Sequence, residues 1–163
     1  MAKENKTNAM RIMEKNGCTY SVHSFYEDPD NYIPVDESNS LDLVGLPADR
    51  VFKTIVTRGK SGNFFVFMSP VNRELDLKKC ALAVKEKSVE PIAVKELLPI
   101  TGYIRGGCSP IGMKKQFTLT THETAQNFET IVFSAGRVGL MMETSPSSLV
   151  RCAKAQFCDI VRS

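Results

Sequence analysis

Apolar positions along this chain follow two rhythms, and the rhythm changes every few residues. Residues 7–16 place Ala9, Met10, Ile12 and Met13 at helical spacing, with Thr7 positioned to cap and Gly17 to end the helix. Residues 20–25 alternate like a strand, and Glu27-Asp28-Pro29-Asp30-Asn31 is turn chemistry. A short helix is predicted over 38–44, stopping before Gly45-Leu46-Pro47. Residues 51–57 and 64–68 are β-rich and flank Arg58-Gly59-Lys60-Ser61-Gly62-Asn63, a loop suited to a hairpin. Residues 76–85 read as a helix with Leu77, Ala81, Leu82 and Val84 inward; 94–98 read as another, ended by Pro99 and Gly102. Residues 106–112 form a loop, and 117–121, 130–134 and 140–143 read as strands. Ser145 as cap and Pro146 at the first helical position open a last helix. The prediction is a mixed α/β fold: a largely antiparallel mixed sheet with short helices around it, not a repeating βαβ arrangement.

Composition narrows this picture. With 163 residues, no repeat and no linker, residues 1–163 read as one domain. The start Met1-Ala2-Lys3-Glu4-Asn5-Lys6 lacks the apolar stretch of a secretory signal, and no run approaches the roughly 18–20 apolar residues of a membrane span. A soluble, cytoplasmic protein with no membrane partner is expected. Cys18, Cys80, Cys108, Cys152 and Cys158 are odd in number, form no C-x-x-C, and stand apart from His23 and His122. That argues against a disulfide framework or a zinc site, and neither metal nor cofactor is expected. A net charge of +3 is low for bulk binding to nucleic acid, and no DNA partner is expected, but the charge leaves room for a local cationic cluster.

Four segments carry candidate chemistry. Lys53 sits inside the apolar run Val51-Phe52-Lys53-Thr54-Ile55-Val56, where alternation puts Val51, Lys53 and Ile55 on one face. It either snorkels to solvent or aims a cation at a carbonyl, carboxylate or phosphate. Gly106-Gly107-Cys108-Ser109-Pro110-Ile111-Gly112, flanked by Arg105 and Lys114-Lys115, is either a structural turn or a backbone cradle for an anion or oxyanion. Ser134-Ala135-Gly136-Arg137-Val138-Gly139 reads as a hairpin turn, or as a place where Ser134 presents a hydroxyl at a strand end; nothing ties it to a Ser-His-Asp triad. Cys108 reads as a pocket-filling apolar group or as a thiol nucleophile activated beside Arg105.

Taken together, these segments resemble the YbaK/EbsC family of aminoacyl-tRNA deacylases. The resemblance rests on Phe52-Lys53-Thr54, on Arg73-Glu74-Leu75-Asp76-Leu77-Lys78-Lys79, and on the segment from Thr101-Gly102-Tyr103 through Gly106-Gly107-Cys108-Ser109-Pro110-Ile111-Gly112 to Lys114-Lys115. Phe128-Glu129-Thr130-Ile131, Ser134-Ala135-Gly136-Arg137 and Ala155-Gln156-Phe157-Cys158-Asp159-Ile160 follow in the family's order. The resemblance implies the fold of the prolyl-tRNA synthetase editing domain and hydrolysis of mischarged tRNA, with Cys-tRNA(Pro) as substrate. It also implies a cleft for the aminoacylated 3′ adenosine and prolyl-tRNA synthetase as a partner. It places the family's lysine at Lys53 and its glycine loop at Gly106 to Gly112. Catalysis is then substrate-assisted, the substrate's thiol attacking its own ester. Arg105, Lys114, Tyr26, Ser109 and Ser134 are further candidates for substrate contact. Two departures bear on the substrate. Phe25, followed by Tyr26, stands where the family has a tyrosine, and Val138 stands where the family's S-G-G-K-R-G loop has a cation. A non-catalytic module binding the tRNA 3′ end or an aminoacyl nucleotide is the alternative.

Overall fold

The computed structural model describes residues 6–24 and 47–163. The predicted helix over 38–44, the turn at 27–31, Phe25 and Tyr26 lie outside the described residues. Strands β1 (Ser21–Ser24), β7 (Leu140–Thr144) and β6 (Ile131–Arg137) form an antiparallel three-stranded sheet in the order β1-β7-β6. A second sheet has the order β4-β2-β3-β5-β8, from β2 (Phe52–Gly59), β3 (Phe64–Pro70), β4 (Val89–Pro91), β5 (Thr118–His122) and β8 (Gln156–Cys158). The pairing is largely antiparallel and mixed as expected, with β3–β5 and β5–β8 parallel, but the strands divide into two sheets. Strands β4 and β8 have three residues each, too few for alternation to announce them.

The two sheets meet edge to edge. Strand β4 pairs with β2 only over Thr57–Gly59, which leaves the start of β2 beside β6. There Val51 and Val132 form an isolated parallel bridge. One face of the joined sheets is apolar. Phe52, Val56, Val66, Met68, Phe133 and Met142 pack there against Ala9, Met10 and Met13 of α1 (Asn8–Lys15) and Leu149 and Ala153 of α4 (Pro146–Ala153). Thr7 caps α1 as expected: its hydroxyl accepts from the Met10 N–H at 3.2 Å and donates to the Ala135 carbonyl at 2.6 Å. That pair of bonds ties the helix start to β6.

Helix α2 (Leu77–Ala83) is capped by Asp76 and covers Phe65 and Phe67 from the other side of the large sheet. It buries Cys80 and Ala81, while Leu77 is 38 % and Leu82 79 % exposed, contrary to the inward placement read from the sequence. At 100° per residue the stripe that reaches the sheet runs through Cys80, Ala81 and Val84, and Leu82 points well away from it. Helix α3 (Val94–Thr101) runs through Pro99 instead of ending there, and stops at Gly102 in the left-handed conformation (φ +88°). Only the Lys95 carbonyl loses a donor to the proline ring, and Lys95 is exposed to water. No helix among the described residues is long and apolar enough to cross a membrane.

Candidate active site

Alternation along β2, β6 and β7 sets an apolar residue and a polar one side by side on opposite faces: Phe52 and Lys53, Phe133 and Ser134, Met142 and Glu143. The polar members share the face opposite α1 and α4. Because Val51 and Val132 pair in a parallel bridge and pack in one cluster with Val71 and Met141, Lys53 and Ser134 leave that same face two residues further along their strands. The structure thereby brings together two segments that lie some eighty positions apart in the sequence. Lys53 and Ser134 are both half-buried. Among the described residues the Lys53 ammonium has no ion-pair partner, and the Ser134 hydroxyl accepts from the Gly136 N–H at 3.2 Å across a bulge in β6.

The glycine loop wraps the end of the β6–β7 hairpin. A Cβ on Gly107 would lie 2.9 Å from the Val138 nitrogen and 3.1 Å from the Arg137 carbonyl carbon, so only glycine lets the two backbones meet. Tyr103 is the loop's internal strut. Its hydroxyl donates to the Ile111 carbonyl at 2.6 Å, and its ring packs beneath Gly136. Cys108, Ser109 and Pro110 are buried. The Ser109 hydroxyl accepts from the Ile111 N–H at 3.2 Å, which holds the turn. Burial pushes the Cys108 thiol up to about 12, so almost none of it is thiolate at neutral pH; that favours the packing reading of Cys108. What this loop has to offer a ligand is main chain. The Cys108 and Ser109 N–H groups pair with no backbone carbonyl among the described residues.

The cations divide. Lys114 lays its stem over Gly102 and donates to the Pro99 carbonyl at 3.4 Å, at the C-terminal end of α3. Arg58, at the far end of β2, pairs with Glu96 at 2.7 Å. Arg105 and Lys115 are exposed beside the loop. Tyr26 lies outside the described residues.

The sequence reading missed a polar cluster on the Lys53 face. Glu143 accepts from Arg50 Nη2 at 3.0 Å and from the Thr130 hydroxyl at 2.5 Å, and its other oxygen lies 2.8 Å from His23 Nε2. Arg50 also donates to the Thr130 carbonyl and hydroxyl, at 3.2 and 2.6 Å. The Thr130 and His23 hydrogen bonds, joined by the charge of Arg50, hold the Glu143 carboxyl below its ordinary range. The signal was present in the sequence: Glu143 ends the apolar run Leu140-Met141-Met142 much as Lys53 interrupts its own.

The sequence signature of the aminoacyl-tRNA editing domain matches residues 36–152, most of the chain. The chain belongs to the aminoacyl-tRNA editing domain family, whose chemistry is hydrolytic. Within it the chain falls in the YbaK/EbsC group. It is 42% identical over 157 residues to the proposed Cys-tRNA(Pro)/Cys-tRNA(Cys) deacylase EbsC of Enterococcus faecalis, covering 96% of this chain and 94% of the relative. In structure it is similar to a proposed trans-editing enzyme for prolyl-tRNA synthetase (TM-score 0.81, 19% identity, 98% of this chain and 100% of that one). It is also similar to a protein described only as hypothetical (TM-score 0.83, 18% identity, 96% of this chain and 100% of that one). These two likenesses establish the fold.

Proposed function

We propose that this protein is a trans-acting deacylase that removes cysteine from mischarged tRNA(Pro), with Lys53 as its catalytic cation. The observation that carries the reading is the placement of Lys53 and Ser134 on one face of the sheet junction, beside a hairpin end gripped by the glycine loop. A half-buried lysine is held at a cost in hydration that a substrate oxygen offsets. In the proposed reaction the substrate's sulfur bonds to its own ester carbonyl carbon. The C–O bond to the ribose breaks, the thiol proton passes to the departing ribose oxygen, and water opens the resulting four-membered thioester. Lys53 and the loop's main-chain N–H groups stabilise the oxyanion formed on the way. Holding sulfur and carbonyl in one pose supplies the entropic part of the acceleration. The identity with the Enterococcus relative supports the choice of cysteine, and the likeness to a trans-editing protein supports prolyl-tRNA synthetase as a partner.

The test incubates purified protein with Cys-tRNA(Pro), Ala-tRNA(Pro) and Pro-tRNA(Pro), beside Lys53→Ala. Loss of cysteine alone is expected, with the variant slower by about 100-fold or more and its thermal unfolding unchanged. Folded Lys53→Ala turning over at the native rate would refute the role of the lysine. Binding of all three substrates without hydrolysis would favour a non-catalytic module.

A further inference from the structure

We infer that His23, fixed by Glu143, is a second catalytic residue of this site and carries the proton of the deacylation; the inference rests on the deacylase reading above. Strand register places it. His23 pairs with Met141, and Met141 pairs with Ser134, so the three form one row across β1, β7 and β6. The bridge between Val51 and Val132 extends the row toward Lys53 on β2. All four residues leave the same face. Three strand spacings separate the ends of the row, about 14 Å between backbones. A lysine and an imidazole reaching in from the two ends close on one small substrate held beside Ser134, above the buried Met141.

The ring is oriented for this work. Glu143 Oε1 holds Nε2 at 2.8 Å, and Glu143 is itself fixed by Arg50 and Thr130. Nδ1 has no hydrogen-bond partner among the described residues, and the side chain is 32% exposed. The arrangement is the base-and-orienter half of a nucleophilic triad, with the nucleophile supplied by the substrate. Among the described residues, the charged groups around the ring are Glu143 of β7, Arg50 of the turn Ala48–Arg50, and Lys53 at the far end of the row. The step balances. As the substrate's sulfur bonds to the carbonyl carbon, the imidazole takes its proton. As the carbon–oxygen bond breaks, the same proton goes to the ribose oxygen, and the histidine returns to its starting state.

The experiment measures single-turnover deacylation of Cys-tRNA(Pro) by wild type, His23→Ala and His23→Gln, with and without added imidazole, alongside thermal unfolding. Expected is a fall of about 100-fold in rate for both variants at little change in tRNA affinity or melting temperature, with imidazole restoring part of the rate to His23→Ala. Native rates in either variant overturn the inference, as does a loss that imidazole leaves untouched and that follows a lowered melting temperature. An inactive wild-type protein would instead overturn the deacylase reading, so the two failures are distinguishable.

Discussion

The two faces of the joined sheets are made by the same strands and do opposite work. On one, Phe52, Phe133 and Met142 are fully buried under α1 and α4. On the other, their chain neighbours Lys53, Ser134 and Glu143 stay partly exposed, and Glu143 meets the Arg50 guanidinium, the Thr130 hydroxyl and the His23 imidazole. A period of two lets one residue anchor the fold while the next faces the polar side. Substitutions on the apolar face are therefore expected to act on stability, and those of Lys53 and His23 on the other face chiefly on rate.

The contrast can be broken most severely at Phe133. Phe133→Ala is expected to cost about 3–5 kcal/mol in urea denaturation, because the ring is fully buried and the cavity cannot collapse between two layers. A loss below about 1 kcal/mol would show that the apolar face is not the anchor. Gly107→Ala tests where the faces meet. Its new methyl confronts main-chain atoms that cannot swing aside, so about 1–3 kcal/mol of stability and part of the deacylation rate should go together. Unchanged stability and rate would remove the loop from the site. The smallest effect belongs to Glu143. Its folded-state pKa lies below its ordinary value, so its stabilisation is fully present above that ordinary value and is lost as pH falls through the folded one. The stability difference between wild type and Glu143→Gln should accordingly be present at pH 7 and shrink on acidification from about pH 5 downward. A difference that stays constant with pH would mean the carboxylate's charge is not what the cluster uses.

Much of this architecture is legible in the amino-acid sequence. The Thr7 cap, the hairpin around Gly59 and Gly62, and the faces of β2 follow from local rules and appear as read. Lys53 was conspicuous because one charge interrupts an apolar run. His23 was not, since its meaning depends on β1 lying against β7, and no local pattern encodes that pairing. Leu82 misled for a related reason. Its apolar character fits an inward position, yet in a helix of two turns only a narrow stripe reaches the sheet. The division of the strands into two sheets is likewise decided by where β2 exchanges β4 for β6 as its neighbour, a tertiary choice.

The first strand of the polar face waits for nearly the last. His23 and Glu143 stand 120 positions apart, so a ribosome must deliver that whole stretch before the imidazole has a carboxylate to lean on. The β2–β3 hairpin can form as it emerges, whereas this closure spans most of the sequence and is late and slow by comparison. A nascent or truncated chain can then hold a folded hairpin with its lysine in place and still lack the carboxylate that fixes His23.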